Sequence, residues 1–310
     1  MGKASRRKGA DKKTARAARV PFAPRPFEGL PGETGWVAMR EILPAATARL
    51  TFSYDGGEHT ARVATVLPLA WAGLHRTDGE RFIATQSGAG SGDLSRDLAA
   101  ALIATVDTEP GQPVVKTPPV TAETPRLQDL LTGDAPEIEL HDGFDFWIEQ
   151  DELDEATAAS LEQANSAVTP TVPLPSVQSA YWCRIGERTY VRWVLPHDED
   201  EATAALARLH AAGNDALMRG PREVSEERSG GELRGVSEAG RLLGAFRTCG
   251  LLVPVWEVDA AAEPASYDGG MGELSTRFTE ALESVRSGDP LTDAERRARA
   301  GLVSRQITIR

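Results

Sequence analysis

The run Gly88-Ala89-Gly90-Ser91-Gly92 is the segment whose residue types best suit chemistry. It lies between an apolar strand pattern and an apolar helix pattern, where free backbone N–H groups and the helix dipole favour an anion. Gly88, Gly90, Ser91 and Gly92 are therefore the candidate anion-binding residues. The spacing departs from G-x-G-x-x-G, because Asp93 stands where the third glycine would be, and no Lys follows to meet a phosphate. Asp93 and Asp97 also place two negative charges at the terminus a phosphate would approach. The competing reading is a loop closed by an ordinary Asp cap.

The other reactive side chains are scattered. His59, His75, His141, His197 and His210 occur singly, without the HxxH, HxH or HExxH spacing that brings two ligands to one metal. His197 with Asp198 and Asp200 has the composition of a surface cation site, and equally that of a solvated acidic helix start. No G-x-S-x-G elbow surrounds Ser91. Cys183 and Cys249 are the two cysteines; each sits in apolar sequence and reads as a small core residue. The acidic run Glu149–Glu155 holds enough carboxylates for an acid/base pair, but such runs usually form the solvated face of a helix. Lys116 is the sole Lys after Lys13 and lies in a Pro-rich stretch, which argues against a P-loop or a Schiff-base enzyme. The residues thus imply no cofactor and no metal. Six Trp residues would suit base stacking, Arg192 beside Trp193 being the best pairing of cation and ring, but an acidic body favours core packing instead.

Charge is the clearest signal. Residues 1–19 carry eight cations (Lys3, Arg6, Arg7, Lys8, Lys12, Lys13, Arg16, Arg19) against Asp11, a local charge of +7. The remaining chain has 26 cations and 45 anions, so it stands at -19 within a total of -12. The basic residues form an affinity element for phosphate backbones, which points to contact with RNA, the ribosome or DNA. A solubilising tail, or one that folds back on its own acidic body, has the same composition. Residues 1–20 lack hydrophobic periodicity and read as disordered. No apolar h-region follows them, and position 6 is Arg6 where myristoylation needs Ser or Thr. No apolar run approaches the roughly 20 residues of a membrane span. The chain reads as a cytoplasmic protein with reduced thiols.

The elements that must position these residues follow from periodicity and turn chemistry. A helix is predicted over Glu33–Leu43, ended by Pro44. Ala48–Tyr54 and His59–Leu67 alternate about the hairpin signal Asp55-Gly56-Gly57. A strand over Arg81–Gln86 leads into the Gly-rich loop, and Asp93 caps a helix to Val106 with Leu94, Leu98 and Leu102 on one stripe. A Pro-rich linker or surface excursion, itself a candidate domain boundary, occupies 109–125, and a short helix follows to Leu131. Ile138–Leu140 and Phe144–Ile148 are predicted as a second hairpin, with Phe144, Phe146 and Ile148 on one face. An Ala-rich helix runs from Asp151 to Asn165. Ala180–Ile185 and Thr189–Leu195 form a third hairpin about Gly186-Glu187. Helices are expected over 198–218, 233–248 and 271–286, with Gly250 stopping the second. Leu251–Val258 reads as an edge strand because Pro254 interrupts it. Thr292-Asp293-Ala294-Glu295 is a capping box for a last helix, and Ile307-Thr308-Ile309 reads as a closing strand.

Hairpins interrupted by helices, rather than regular βαβ units, place the chain in the α+β class. The organisation expected is a basic tail (1–20), an N-terminal α+β domain (21–168) and a C-terminal α+β domain (176–310), the second Pro-rich stretch, 169–175, lying between them. Val66-Leu67-Pro68 and Val194-Leu195-Pro196 close their hairpins alike, a hint of duplication.

The stretch Arg25-Pro26-Phe27-Glu28-Gly29-Leu30-Pro31-Gly32-Glu33, with Trp36-Val37-Ala38-Met39-Arg40-Glu41, Pro44-Ala45 and the basic Met1–Lys8 opening, carries a resemblance. Gly250–Trp256 and Leu302–Arg310 extend it to nearly the whole chain. The sequence resembles an uncharacterised family, a domain of unknown function, from high-GC Gram-positive bacteria. The resemblance implies no activity, cofactor or site residue. Some members carry the labels preprotein translocase ATPase or type II topoisomerase, which this chain does not support: it has no Walker motif and too few cysteines for the translocase's zinc motif. The expectation is a non-enzymatic binding or adaptor protein, its tail on RNA, the ribosome or the nucleoid and its body on a protein partner. The alternative is an enzyme or sensor for a phosphorylated small molecule at Gly88–Gly92.

Overall fold

The computed structural model describes residues 20–87, 90–148, 155–217 and 240–304. The lead-in buries Phe27 and Leu30 before helix α1 (Glu33–Glu41), whose residues Thr34 to Met39 are all buried. Strands β1 (Ala46–Tyr54) and β2 (Gly57–Ala64) pair antiparallel in register from Thr47↔Ala64 to Tyr54↔Gly57. Asp55 and Gly56 have φ of 49° and 74°, the left-handed pair a two-residue hairpin needs. Beyond a tight turn at Pro68–Ala70 come β3 (Gly73–His75) and β4 (Arg81–Ala84), the latter parallel to β2. Helix α2 (Leu94–Asp107) then buries Leu98, Ala99, Leu102 and Thr105. Strand β5 (Gln112–Val114) returns along β3, helix α3 (Leu127–Leu130) is one turn, and β6 (Ile138–Leu140) joins the free edge of β1. The order of this mixed sheet is β5-β3-β4-β2-β1-β6.

Helix α4 (Glu155–Ser166) leads to a second, antiparallel sheet of β7 (Thr171–Pro173), β8 (Ala180–Ile185), β9 (Arg188–Trp193), β10 (Arg241–Thr248) and β11 (Leu251–Val258). Its order is β10-β11-β9-β8-β7. Helices α5 (Glu199–Ala211), α6 (Asp268–Arg286) and α7 (Asp293–Ser304) cover one face. There Trp182, Val191, Trp193, Leu252 and Trp256 pack with Leu206, Leu274, Phe278 and Leu302. The other face contributes Tyr181, Val194, Leu251 and Val253 to the core that also holds Trp36, Val37 and Met39 of α1, Leu50 and Phe52 of β1, and Leu98 and Leu102 of α2. Helix α1 is thus shared by both sheets. The fold is α+β. Among the described residues no helix is long and apolar enough to cross a membrane.

Several expectations are corrected. Phe144–Ile148 is not a return strand: Asp145–Trp147 is a 3-10 turn, and β6 pairs with β1 instead. The aromatic residues that suggested alternation stack locally, Phe144 on Trp147 at 4.4 Å, while the Asn165 side chain accepts from the Phe144 N–H at 2.7 Å. The helix expected to end at Thr248 is strand β10 over Arg241–Thr248, and residues 233–239 lie outside the described residues. A bulge between Leu242 and Gly244 places Leu242 and Ala245 on one face with a spacing of three, which imitates helical periodicity. Gly250 closes the β10–β11 turn with Cys249 (φ 77° and 47°) rather than a helix. Strand β11 is interior, between β10 and β9. Pro254 is tolerated because the ladder to β9 runs over Val255–Val258 and stops beside it. The Pro-rich stretches hold β5 and β7, and the second sheet begins at Thr171. Strand orders β1-β2-β4-β3 and β8-β9-β11-β10 match, but β4 is parallel to β2 whereas β11 is antiparallel to β9, so the two units are not copies. Ile307–Ile309 lies outside the described residues.

Candidate functional site

The Gly-rich loop meets α2 as the sequence implies, and the described part already carries an anion of its own. Gly88 and Ala89 lie outside the described residues. The Ser91 N–H donates to both carboxylate oxygens of Asp97 at 3.0 Å. Asp93 caps α2 by accepting from the Ser95 N–H at 3.2 Å, and Ser91 Oγ accepts from the Asp93 N–H at 3.3 Å. The other Asp93 oxygen lies 3.3 Å from Arg96 Nε and 3.2 Å from Arg126 Nε. A Cβ at Gly90 would stand 2.5 Å from Asp97 Oδ2, so a side chain there would push this carboxylate aside. Gly92, at φ 108°, offers its carbonyl to the Ala23 N–H at 2.9 Å. Ser95 Oγ donates to Gln128 and accepts from the Leu127 N–H, and Gln128 and Arg126 both donate to the Pro26 carbonyl. The lead-in, α2 and α3 are knitted together here. Gly90, Ser91 and Gly92 therefore converge on internal carboxylates, which take the Ser91 and Ser95 amides.

The remaining candidates are held singly. Burial pushes the Cys183 thiol up, against a small opposing pull from Arg192, and carries Cys249 up to about 11. Both are poor nucleophiles at neutral pH, since the thiolate is the reactive form. His59 stacks on Phe52, His75 Nδ1 lies 2.5 Å from the Thr108 carbonyl, His141 Nε2 lies 2.8 Å from Thr47 Oγ1, and His210 bonds Asp215 at 2.7 Å. His197 lies against Phe278, while Asp198 caps α5 and Asp200 pairs with Arg299 at 2.6 Å. Among the described residues no three His, Cys, Asp or Glu side chains group as metal ligands. Trp36, Trp182, Trp193 and Trp256 are core residues, and the Trp256 indole donates to the Asp215 carbonyl at 2.8 Å. Of the acidic run, residues 149–154 lie outside the described residues, as do all eight cations of the tail, Lys3, Arg6, Arg7, Lys8, Lys12, Lys13, Arg16 and Arg19.

A model of a family of unknown function matches residues 26–310. The chain belongs to that family, DUF5926. No curated protein and no solved structure matches it. The DUF5926 match takes in both sheets and every helix described above, and starts after the basic tail.

Two features of this DUF5926 chain are marked by no motif. Residues 127–183 contain twelve Asp and Glu and no Lys or Arg. Asp129, Asp134, Glu137, Glu139, Asp142 and Asp145 are all exposed around β6 and the turns flanking it. A running charge count would have found this stretch. The second is the burial of Arg192, which alternation separates from the Trp193 it neighbours in sequence: the indole faces the helices and the guanidinium faces the other way. Nothing in the sequence marks it as buried.

Proposed function

We propose that the protein is a non-enzymatic binding or adaptor protein whose basic tail contacts RNA while its acidic body meets a protein partner. The observation that carries this reading is the charge division, +7 over residues 1–19 against -19 over the rest. Closely spaced Lys and Arg release counterions from a phosphate backbone and bind it regardless of sequence. The body repels the same backbone, so the tail alone makes the contact. The cation-free stretch 127–183 supports the second half of the reading, because its exposed carboxylates around β6 suit a partner with basic residues.

An electrophoretic shift with total RNA tests this, using full-length and Δ1–19 protein from 50 to about 300 mM salt. Full-length protein should shift the RNA at low salt, with log affinity falling by about 0.7 per decade of salt for each phosphate neutralised on a single strand. The Δ1–19 protein should not shift it. Equal binding by both forms, or no shift at the lowest salt, sinks the proposal; duplex DNA bound more tightly than RNA would redirect it to the nucleoid.

A further inference from the structure

We propose that Arg192 is an anion-binding residue, held on the inner face of the second sheet for a small ligand bearing a carboxylate or phosphate group. Arg192 sits in β9 opposite Tyr181 of β8 and Val255 of β11, both buried, and itself retains 7% of its surface. Tyr190 and Val194 flank it two residues away on the same face, and Cys183 lies diagonally across. Its Nε is enclosed without an acceptor. Among the described residues no carboxylate lies within ion-pair reach of the guanidinium and no side-chain or backbone oxygen accepts from it. The nearest carboxylate in register is Glu257, across from Tyr190, and its oxygens turn to Arg188 at 3.9 Å and Arg241 at 3.8 Å.

A permanently charged group in such a place is costly to keep. Removing a guanidinium from water without a counter-ion is among the most destabilising arrangements in a folded chain, and buried charges are otherwise paired. The sheet positions it well. A central strand fixes its backbone, apolar neighbours lower the local dielectric, and the planar fork with five donors matches a carboxylate or phosphate edge in bidentate fashion. The 7% of its surface that Arg192 retains is the opening through which a small oxyanion would reach the fork. Oxyanion binding here is independent of the tail, so failure of the RNA experiment leaves it standing.

The test uses full-length protein in thermal melts at matched ionic strength, with chloride replaced by inorganic phosphate or by citrate. Wild-type protein should melt higher in one of the two oxyanions, by about 2 °C when the anion reaches roughly five times its Kd; which one does so distinguishes phosphate from carboxylate. Arg192→Met keeps the aliphatic stem and removes the charge. It should melt at or above wild type in chloride and gain from the oxyanions only the general, non-saturating kosmotropic rise, while Arg192→Lys should respond more weakly than wild type. In ¹⁵N-resolved spectra the Arg192 Nε–H signal, assigned by its loss in Arg192→Lys, should move saturably on titration. An oxyanion response as large in Arg192→Met as in wild type overturns the proposal, as does identical melting of wild type in all three salts. Should Arg192→Met fail to fold, the wild-type titration decides: a saturable shift upholds the site, and a stationary signal removes it.

Discussion

At the scale of single residues, the titratable groups that burial perturbs define a pH window. His141 and His197 are both held below the usual imidazole range, chiefly by burial, so the folded state binds fewer protons than the unfolded chain in acid. Their contribution is present above about pH 6.5 and is lost as pH falls. Cys249, raised to about 11, and Tyr181, raised to about 12, act in the opposite sense. Folding keeps them protonated, so their contribution is complete below the ordinary values of 9.0 and 10.0 and disappears as pH climbs through 11 and 12. The melting temperature should therefore be flat between about pH 7 and 9 and fall on either side. His141→Gln with His197→Gln should make the acid limb shallower, and Cys249→Ala should do the same to the alkaline limb, leaving the part carried by Tyr181 and Cys183. A melting temperature that rises between pH 9 and 11, or an acid limb unchanged in the double His variant, would contradict the assignment. Residue identity alone suggested the inert thiols, because both cysteines sit in apolar sequence. It was silent on Arg192, whose burial depends on what crosses the inner face of the second sheet rather than on anything adjacent in the chain.

At the scale of elements, two hairpin turns of the same backbone type differ in what surrounds them. Gly56 and Gly250 both have left-handed φ, 74° and 77°, so a side chain strains either turn by about 1 kcal/mol. Around Gly56 there is open space. A Cβ at Gly250 would instead stand 2.7 Å from Arg25 Cβ and 3.0 Å from its Cα, in a segment tied down by the Arg25–Glu33 ion pair at 2.6 Å. Gly56→Ala should thus cost about 1 kcal/mol and Gly250→Ala about 2–4 kcal/mol by urea denaturation, since overpacking adds to the backbone strain. Equal costs would mean that the lead-in does not press on this turn. These turns also show what was legible in the chain. Asp55-Gly56 lies between two alternating runs and was readable as a hairpin. Cys249-Gly250 was not, because the bulge at Leu243 disguised β10 as a helix and left the glycine looking like a helix stop. The three-residue strands β3, β5 and β7 left no pattern of their own, being too short for periodicity and, for β5 and β7, containing Pro. The Gly88–Gly92 run reads from sequence as a loop before a helix N-terminus suited to an anion; in its described part the Ser91 amide is taken by Asp97, six residues on, and spacing does not separate an internal carboxylate from a ligand.

At the scale of the whole molecule, α1 decides how the two sheets depend on one another. Both of its sides are used: Trp36 is buried in a core drawing on β1, α2, β8 and β11, and it stacks with Phe27 at 5.7 Å. A buried hydrogen bond of 2.8 Å joins Ser179 Oγ, just before β8, to Thr34 Oγ1 in the first turn of α1. The C-terminal end is anchored to the first sheet, where Thr85 Oγ1 donates to the Met39 carbonyl at 3.0 Å. A core that crosses from one sheet to the other makes their unfolding a single event, because neither can lose α1 without exposing apolar surface on the other. Urea denaturation followed by far-ultraviolet circular dichroism and by tryptophan fluorescence should give coincident transitions. Trp182, Trp193 and Trp256 report on the helix-covered core of the second sheet and Trp71 and Trp147 on the first, whereas the circular dichroism reports on the secondary structure of both. Trp36→Ala should lower stability by about 3–5 kcal/mol in both signals together. A fragment comprising residues 171–310, although it retains all five strands of the second sheet and α5 to α7, should be unstable alone, since Tyr181, Val194, Leu251 and Val253 would face water. Two separated transitions, or a fragment that melts cooperatively near the temperature of the full chain, would show that the sheets are independent and that the shared core is a contact between finished domains.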